Sequence, residues 1–275
     1  MLTRPIPHSG ETLPVLGLGT FRAFDQTLAE PTRQALTKVL AGLFEAGGSL
    51  IDSSPMYGRA EQVTGELLDG MKGHGKAFIA TKVWTRGKRE GEKQMEESLR
   101  LLRASSIALM QVHNLVDTEL HLATLRDWKA DGRVRYVGIT HYTAGAFDAL
   151  EKVLRAHPEV DFCQFPYSLV DRAAEQRLLA VCAELGVATL INRPFGQDEF
   201  FAHVAGKHLP AWAAEVGCTS WAQMALKYVL GDERVTNAIP ATSKPHHMAE
   251  NLKALEGPLP DAKMRRRMVD LIQAL

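Results

Sequence analysis

Short apolar runs recur along the chain and alternate with longer amphipathic segments. Within a run the apolar residues follow one another without polar alternation, which is typical of parallel strands that are buried on both faces. Between residues 49 and 192 the runs begin about 26–30 residues apart, the length of one strand, one helix and two short loops. The predicted strands are VLGLG (15–19), SLID (49–52), AFIATK (77–82), IALMQVH (107–113), VRYVGIT (134–140), VDFCQFP (160–166), VATLIN (187–192) and TNAIP (236–240).

The intervals between these strands have the periodicity of amphipathic helices. The segment at 31–47 opens with a proline, closes at a glycine and carries one apolar stripe. Alternating strands and helices predict a parallel sheet, and eight near-equal units favour a closed (β/α)8 TIM barrel over an open doubly wound sheet. Gly10 and Pro14 predict a short N-terminal hairpin, and the residues after Gly257 a short C-terminal helical tail. Because no change in composition divides the chain, we predict a single domain over 1–275.

Charge and cysteine content restrict the possible partners. The 32 basic and 32 acidic side chains give zero net charge, so the chain has no long-range attraction to nucleic acid or to an anionic membrane. No apolar run approaches the roughly 20 residues of a membrane-spanning helix. Three scattered cysteines form no disulfide framework and, with a polar N-terminus that has no signal-like region, indicate a cytoplasmic protein. The neutral charge and the absence of an obvious apolar stripe on the surface favour a monomer. No histidine or cysteine pair has metal-ligand spacing, so we predict no metal site.

Titratable side chains fall at the ends of consecutive predicted strands. The second, third and fourth strands end at Asp52, Lys82 and His113. In a parallel barrel these ends meet at the rim where the chemistry of such folds takes place. One titratable residue at a strand end is usually a hydrogen-bonded loop anchor. An acid, a lysine and a histidine on three adjacent strands instead indicate a site.

The loop SSPMYG (53–58), which follows Asp52 directly, adds a tyrosine to this group. Asp52 and Lys82 are predicted to pair, because a buried lysine keeps its charge only with such a partner. Tyr57 is expected to lie over the rim and to meet Lys82, whose ammonium group favours the phenolate and lowers the pKa of the tyrosine from about 10. We therefore predict Tyr57 as a general acid and His113 as the group that orients a substrate oxygen. Such a set moves a proton at a carbonyl or alcohol oxygen.

These four residues resemble the catalytic tetrad of the aldo-keto reductase family. The spacing D-x4-Y, a lysine that ends one strand and a histidine that ends the next follow the order of that family, and PVLGLGTF and GIT are also similar to it. The likeness extends from about Leu13 to Asn251. It implies a (β/α)8 barrel and reversible hydride transfer between a nicotinamide cofactor and a small-molecule carbonyl. It also implies that Tyr57 protonates the carbonyl oxygen while Lys82, paired with Asp52, lowers the pKa of the tyrosine.

The same resemblance implies a cofactor that lies extended across the top of the barrel. The chain has no G-x-G-x-x-G fingerprint after a strand. Where the family usually has Ser-Asn to hold the carboxamide, this chain has Thr140 and His141, and Gln164 matches the third carboxamide ligand. Asn192 replaces a tyrosine that often stacks on the nicotinamide. The next residue, Arg193, either contacts the pyrophosphate or faces solvent.

The stretch IPATSKPHHMAENL after the eighth strand departs from the I-P-K-S pattern of the family. Glu250 and Asn251 match the adenine contacts, but an alanine and a histidine stand where a lysine and an arginine usually hold the 2′-phosphate. Ser243 and Lys244 replace them at the start of a helix, where anions are bound favourably, or else Lys244 is simply solvated. On the first interpretation we predict NADP(H) in preference to NAD(H).

Trp84, just past Lys82, has two interpretations. It is either an aromatic wall for the substrate or a packed rim residue.

Two further alternatives concern the function of the whole protein. The complete tetrad favours an oxidoreductase, whereas the departures at the carboxamide and stacking positions keep open a cofactor-sensing regulatory or binding protein on the same barrel. A lyase or isomerase with Lys82 as a Schiff base is disfavoured, because pairing with Asp52 keeps the lysine protonated.

Overall fold

The computed structural model describes residues 1–196 and 199–275, and the strands follow the predicted order. Strands β1 (Thr3–Pro5) and β2 (Thr12–Pro14) form the predicted antiparallel hairpin. Within the described residues the next eight strands form one parallel sheet. They are β3 (Leu18–Gly19), β4 (Leu50–Asp52), β5 (Phe78–Val83), β6 (Ile107–His113), β7 (Val134–Thr140), β8 (Phe162–Pro166), β9 (Ala188–Asn192) and β10 (Asn237–Ala238).

Helices occupy the intervals and pack their apolar faces on the outside of the sheet. They are α1 (Glu30–Glu45), α2 (Ala60–Gly70), α3 (Lys88–Leu101), α4 (Thr118–Ala130), α5 (Phe147–Ala156), α6 (Ala173–Gln176), α7 (Leu178–Leu185), α8 (Glu199–His203), α9 (Trp221–Leu230), α10 (Pro245–Lys253) and the C-terminal α11 (Ala262–Ala274). In the interval between β8 and β9, Arg177 has a φ of −152°, outside the helical region, and separates α6 from α7. Among the described residues, no helix has the length and apolar character needed to cross a bilayer.

The sheet closes on itself between β3 and β10. A parallel bridge connects Leu16 with Ala238, and the amide of Gly17 donates to the carbonyl oxygen of Ala238 over 2.9 Å. A Cβ atom on Gly17 would lie 2.8 Å from the carbonyl oxygen of Leu50, so this close approach of strands requires a glycine. The predicted (β/α)8 barrel is confirmed.

The barrel interior has an apolar lower part and a polar upper part. Ile6 and Leu13 of the N-terminal hairpin close the bottom by packing on the inward side chains of the strands. That lower cluster includes Leu50, Phe78, Leu109, Tyr136, Phe162 and Leu190. Side chains alternate between the two faces of a strand, and farther along these strands the inward positions become polar. The buried polar side chains at these inward positions are Asp52, Lys82, Gln111, His113, Thr140 and Gln164. The rim at the carboxyl ends of the strands is therefore the place for chemistry.

Candidate active site

The upper part of the interior brings the four predicted catalytic residues together. Asp52 ends β4, Lys82 lies near the end of β5 and His113 ends β6. In the parallel register Lys82 is level with Gln111, so His113 lies two residues nearer the rim. Tyr57 enters from the loop between β4 and α2, and its ring centroid is 6.2 Å from that of His113. Neighbouring parallel strands thus place the acid, the lysine and the histidine side by side.

Asp52 and Lys82 form a buried ion pair. Nζ of Lys82 donates to Oδ2 of Asp52 and to the carbonyl oxygen of Ser53, each over 2.7 Å. The side chains of Lys82 and Asp52 are only 0% and 2% exposed. Burial alone would lower the pKa of Lys82, but its interactions with Asp52 and Tyr57 outweigh burial and raise that pKa. Lys82 is therefore a permanent cation, which opposes Schiff-base chemistry because that chemistry needs a neutral amine.

The loop that carries Tyr57 bends back over this pair. The Tyr57 amide donates to the carbonyl oxygen of Ser54 over 3.0 Å and closes a turn. The tyrosine ring packs on Phe21 with 5.0 Å between centroids, and Nζ of Lys82 lies 4.9 Å from the Tyr57 ring centroid. The phenol and the ammonium group are therefore neighbours, as the sequence predicted.

The expected lowering of the Tyr57 pKa is wrong. Burial of the phenol raises its pKa, and the positive charge of Lys82 offsets that effect only in part. The sequence shows the lysine but not the packing of the loop and of Phe21, which takes the phenol out of water. A raised pKa keeps Tyr57 protonated at neutral pH. The group is consequently a proton donor and not a resident phenolate.

His113 is held neutral at the same rim. Its side chain is buried, and burial together with Lys82 and His141 lowers its pKa to about 3. Oγ of Ser54 lies 3.2 Å from Nδ1 of His113 and accepts from the amide of Met56 over 3.3 Å. Its hydroxyl hydrogen is then available for Nδ1, which favours the tautomer with a hydrogen on Nε2. That N–H is a donor suited to a substrate oxygen.

A chain of polar contacts connects the ion pair with the predicted carboxamide ligands. Oγ1 of Thr140 donates to Oε1 of Gln164 over 3.1 Å, and Nε2 of Gln164 donates to Oδ1 of Asp52 over 2.9 Å. Each end of the Gln164 amide has one partner and can make a second hydrogen bond, so Gln164 can hold a carboxamide by adding a contact or by exchanging one. His141 accepts a hydrogen bond from the amide of Thr143 at Nδ1, and burial lowers its pKa.

Asn192 and Arg193 lie at the end of β9, beside His141. Nδ2 of Asn192 donates to the carbonyl oxygen of His141 over 3.5 Å, and its Oδ1 is buried without a hydrogen-bond partner among the described residues. A buried acceptor of this kind fits the amide hydrogens of a nicotinamide carboxamide. Arg193 has a positive φ of 50°, and its guanidinium group lies 4.8 Å from the ring centroid of Tyr142. The donors and acceptors at this end of the rim therefore suit the predicted cofactor.

The predicted adenine and 2′-phosphate contacts lie on the last barrel loop and on α10. The Lys244 amide donates to Oγ1 of Thr242 over 3.0 Å, which fixes the start of the helix. Lys244 is exposed, Ser243 and Glu250 are half-buried and Asn251 is buried. A helix N-terminus with an exposed lysine is suited to an anion. The roles of these four residues stay predictions.

Two aromatic side chains flank the open side of the site. Trp84 is 42% exposed, and its ring centroid lies 6.3 Å from that of His113. Phe21 is 47% exposed and covers Tyr57 from the loop after β3. Trp84 is thus at the mouth of the site, and its role as a substrate wall stays a prediction.

Sequence reasoning overlooked Gln111, Ser54 and Phe21. Gln111 precedes His113 by two positions in IALMQVH, and strand periodicity alone puts both side chains on one face. Ser54 lies inside the loop that carries Tyr57, and Phe21 ends PVLGLGTF, but their contacts with His113 and Tyr57 depend on loop conformation.

Comparisons with known proteins point to one family. A family model described as the aldo/keto reductase family matches residues 15–268. A methylglyoxal reductase of Escherichia coli strain K12 is 28% identical over 275 residues, covering 96% of this chain and 93% of that protein. An NADH-specific methylglyoxal reductase of the same strain is 23% identical, covering 98% of each chain. The crystal structure of an aldo-keto reductase from Klebsiella pneumoniae in complex with NADPH has a TM-score of 0.83 at 22% identity, covering 99% of this chain and 96% of that chain.

Proposed function

The chain belongs to the aldo/keto reductase family, and from this premise we propose that it reduces an aldehyde or ketone to an alcohol with Tyr57 as the general acid. The observation that carries the proposal is the position of the Tyr57 ring, whose centroid lies 4.9 Å from Nζ of Lys82. Burial also raises the pKa of this phenol, which keeps it protonated at neutral pH. A nicotinamide cofactor supplies a hydride to the carbonyl carbon when bound.

The residues of the chain act on the carbonyl oxygen. Nε2–H of His113 donates to this oxygen and orients it beside the Tyr57 hydroxyl. As negative charge develops on the oxygen, Tyr57 donates its proton there, and the alcohol forms. Lys82 stabilises the phenolate that remains, and Asp52 keeps Lys82 charged and in place. Trp84 lines the substrate side of the mouth.

We propose NADP(H) in preference to NAD(H) as the cofactor. Thr140, His141, Gln164 and Asn192 supply donors and acceptors for a carboxamide. Arg193 and the loop 243–244 supply cations for the phosphates, and Glu250 and Asn251 take the adenine. An NADPH complex of a similar protein supports the preference, whereas the NADH-specific relative shows that the family also contains the opposite choice.

The domain organisation, oligomeric state, location and partner that we propose rest on the sequence. We propose one domain over residues 1–275, a monomer that works in the cytoplasm, and a small-molecule carbonyl as its partner rather than nucleic acid or membrane. Zero net charge supports the last point.

The test measures NADPH oxidation with a panel of aldehydes and ketones. Tyr57→Phe is expected to lower kcat by about a hundredfold to ten-thousandfold, the usual contribution of a general acid. Tyr136→Phe, which removes a hydroxyl at the bottom of the barrel, is the matched control and keeps its activity.

Equal turnover by wild type and Tyr57→Phe contradicts the mechanism. Tight NADPH binding with no turnover of any carbonyl favours the cofactor-sensing alternative.

A further inference from the structure

A second glutamine lies against the acid of the site. Gln111 is on β6 and is 0% exposed. Its Nε2 donates to Oδ1 of Asp52 over 3.2 Å, and Nε2 of Gln164 donates to the same oxygen over 2.9 Å. Oδ2 of Asp52 accepts from Lys82. One oxygen of the carboxylate is therefore fixed by a cation and the other by two amides.

The orientation of the Gln111 amide follows from charge. The reverse orientation would place its oxygen against the Asp52 carboxylate, so the nitrogen faces Asp52. Oε1 of Gln111 is then buried without a hydrogen-bond partner among the described residues. Because a buried acceptor without a partner is destabilising, an apolar side chain of the same size would serve packing better here. The presence of a glutamine therefore points to its contact with Asp52.

The neighbouring strand leaves room for this side chain. Gly138 on β7 is in register with Gln111. A Cβ atom on Gly138 would lie 2.9 Å from Cγ of Gln111 and 3.0 Å from the carbonyl oxygen of Phe162. A larger residue at this point of β7 would displace the glutamine from Asp52.

The two glutamines lie at different depths. Gln164 is in register with Thr140, at the level of His113, where it is open to exchange with a carboxamide. Gln111 is in register with Lys82, two residues deeper in the barrel. When Gln164 turns toward a cofactor, Gln111 is the amide that still holds Asp52.

We propose that Gln111 is a positioning residue whose amide keeps Oδ1 of Asp52 fixed, so that Oδ2 stays on Lys82 while Gln164 binds the cofactor. The inference rests on the proposed function and adds a residue that does not itself reach the cofactor or the substrate.

Three buried glutamines give a matched set of variants for the test. Gln111→Met is expected to lower kcat by about tenfold to a hundredfold, the scale of a small misplacement of catalytic groups, with the NADPH dissociation constant unchanged. Gln164→Met is expected to raise that dissociation constant. Gln223→Met, on α9 and 2% exposed, is the control and changes neither quantity.

The conservative variant Gln111→Glu separates positioning from packing. A protonated glutamic acid donates one hydrogen bond to Asp52, whereas an ionised one repels it. The kcat of Gln111→Glu, relative to wild type, is therefore expected to recover as the pH falls, while that of Gln111→Met does not. A residue needed only for packing gives no such recovery.

A titration without turnover keeps this inference separate from the proposed function. The Tyr57 phenol is titrated by tyrosinate absorbance, as the difference between each protein and its Tyr57→Phe counterpart. In Gln111→Met the charge of Asp52 is less well compensated, and this charge raises the pKa of Tyr57, so the titration is expected to move to higher pH.

The outcomes are distinct. An unchanged kcat with an unchanged Tyr57 titration in Gln111→Met overturns the proposal. A loss of NADPH affinity as large as that of Gln164→Met also overturns it. If the wild type reduces no carbonyl, the proposed function fails, and the titration alone decides the role of Gln111.

Discussion

Asp52, Lys82 and His113 are carried by strands and are at most 5% exposed, whereas Arg193 and Lys244 are carried by loops and reach solvent. The first group is held on several sides by the barrel: the acid alone contacts a lysine and two glutamine amides. In the second group the guanidinium group of Arg193 lies against the ring of Tyr142, and the Lys244 amide donates to Oγ1 of Thr242. The ion pair and the histidine are therefore held by buried strand ends, whereas these two predicted cofactor contacts lie on the rim.

The departures from the family pattern spare the buried ion pair. Replacing one member of that pair would leave an unpaired buried charge, which is costly. Thr140 and Asn192 also end strands, but as neutral side chains they can replace other residues and still make hydrogen bonds. The four residues that resemble the tetrad are accordingly all present, while the carboxamide, stacking and 2′-phosphate positions are altered.

The largest expected effect comes from breaking the ion pair. Lys82→Met leaves the Asp52 charge buried without its cation, which is expected to lower the free energy of unfolding by about 3–5 kcal/mol and to abolish turnover. Adding Asp52→Asn removes the unpaired charge and restores most of the stability but none of the activity. Urea denaturation and NADPH oxidation measure the two quantities. A Lys82→Met variant as stable as wild type would contradict this account of a buried ion pair.

The second-largest expected effect is a loss of stability at low pH, which comes from the neutral side chain of His113. Its pKa is about 3 in the folded protein and about 6.5 when unfolded, so the unfolded chain takes up the proton first as the pH falls. The stability that comes from the neutral imidazole is complete above pH 6.5 and is lost toward pH 3. Between pH 7 and pH 5 the loss is about 2 kcal/mol.

The variant His113→Asn isolates this contribution. We expect urea denaturation at pH 7 and pH 5 to show that the free energy of unfolding falls more in wild type than in His113→Asn. The difference between the two losses is expected to be about 2 kcal/mol. Parallel losses in the two proteins would mean that His113 titrates normally.

The smallest expected effect comes from Lys244, which is exposed on the rim. Lys244→Ala is expected to raise the NADPH dissociation constant about tenfold, at the low end for a lost charge-assisted hydrogen bond, and to leave that of NADH unchanged. Lys253→Ala, exposed at the other end of α10, is the control. Equal affinities of the wild type for NADPH and NADH would contradict the proposed preference.

The sequence predicted the barrel and the clustering of the four candidate residues because both depend on local patterns. Apolar runs at regular intervals define the strands, and their last residues meet at one rim in any parallel barrel. The direction of the Tyr57 pKa shift was mispredicted because it depends on how deeply Phe21 and the loop bury the phenol. The contact of Gln164 with Asp52 was also beyond reach, since the two residues come from strands far apart in the chain.

The central claim is that hydride addition to a carbonyl depends on proton donation by Tyr57. It is tested most directly with NADPH carrying deuterium at the transferred position, by mass spectrometry of the alcohol formed by wild type and by Tyr57→Phe. We predict one deuterium on the carbonyl carbon with wild type, and formation of the labelled alcohol slower by about a hundredfold or more with Tyr57→Phe. Labelled alcohol formed at equal rates by the two proteins, or alcohol without deuterium, would contradict the account.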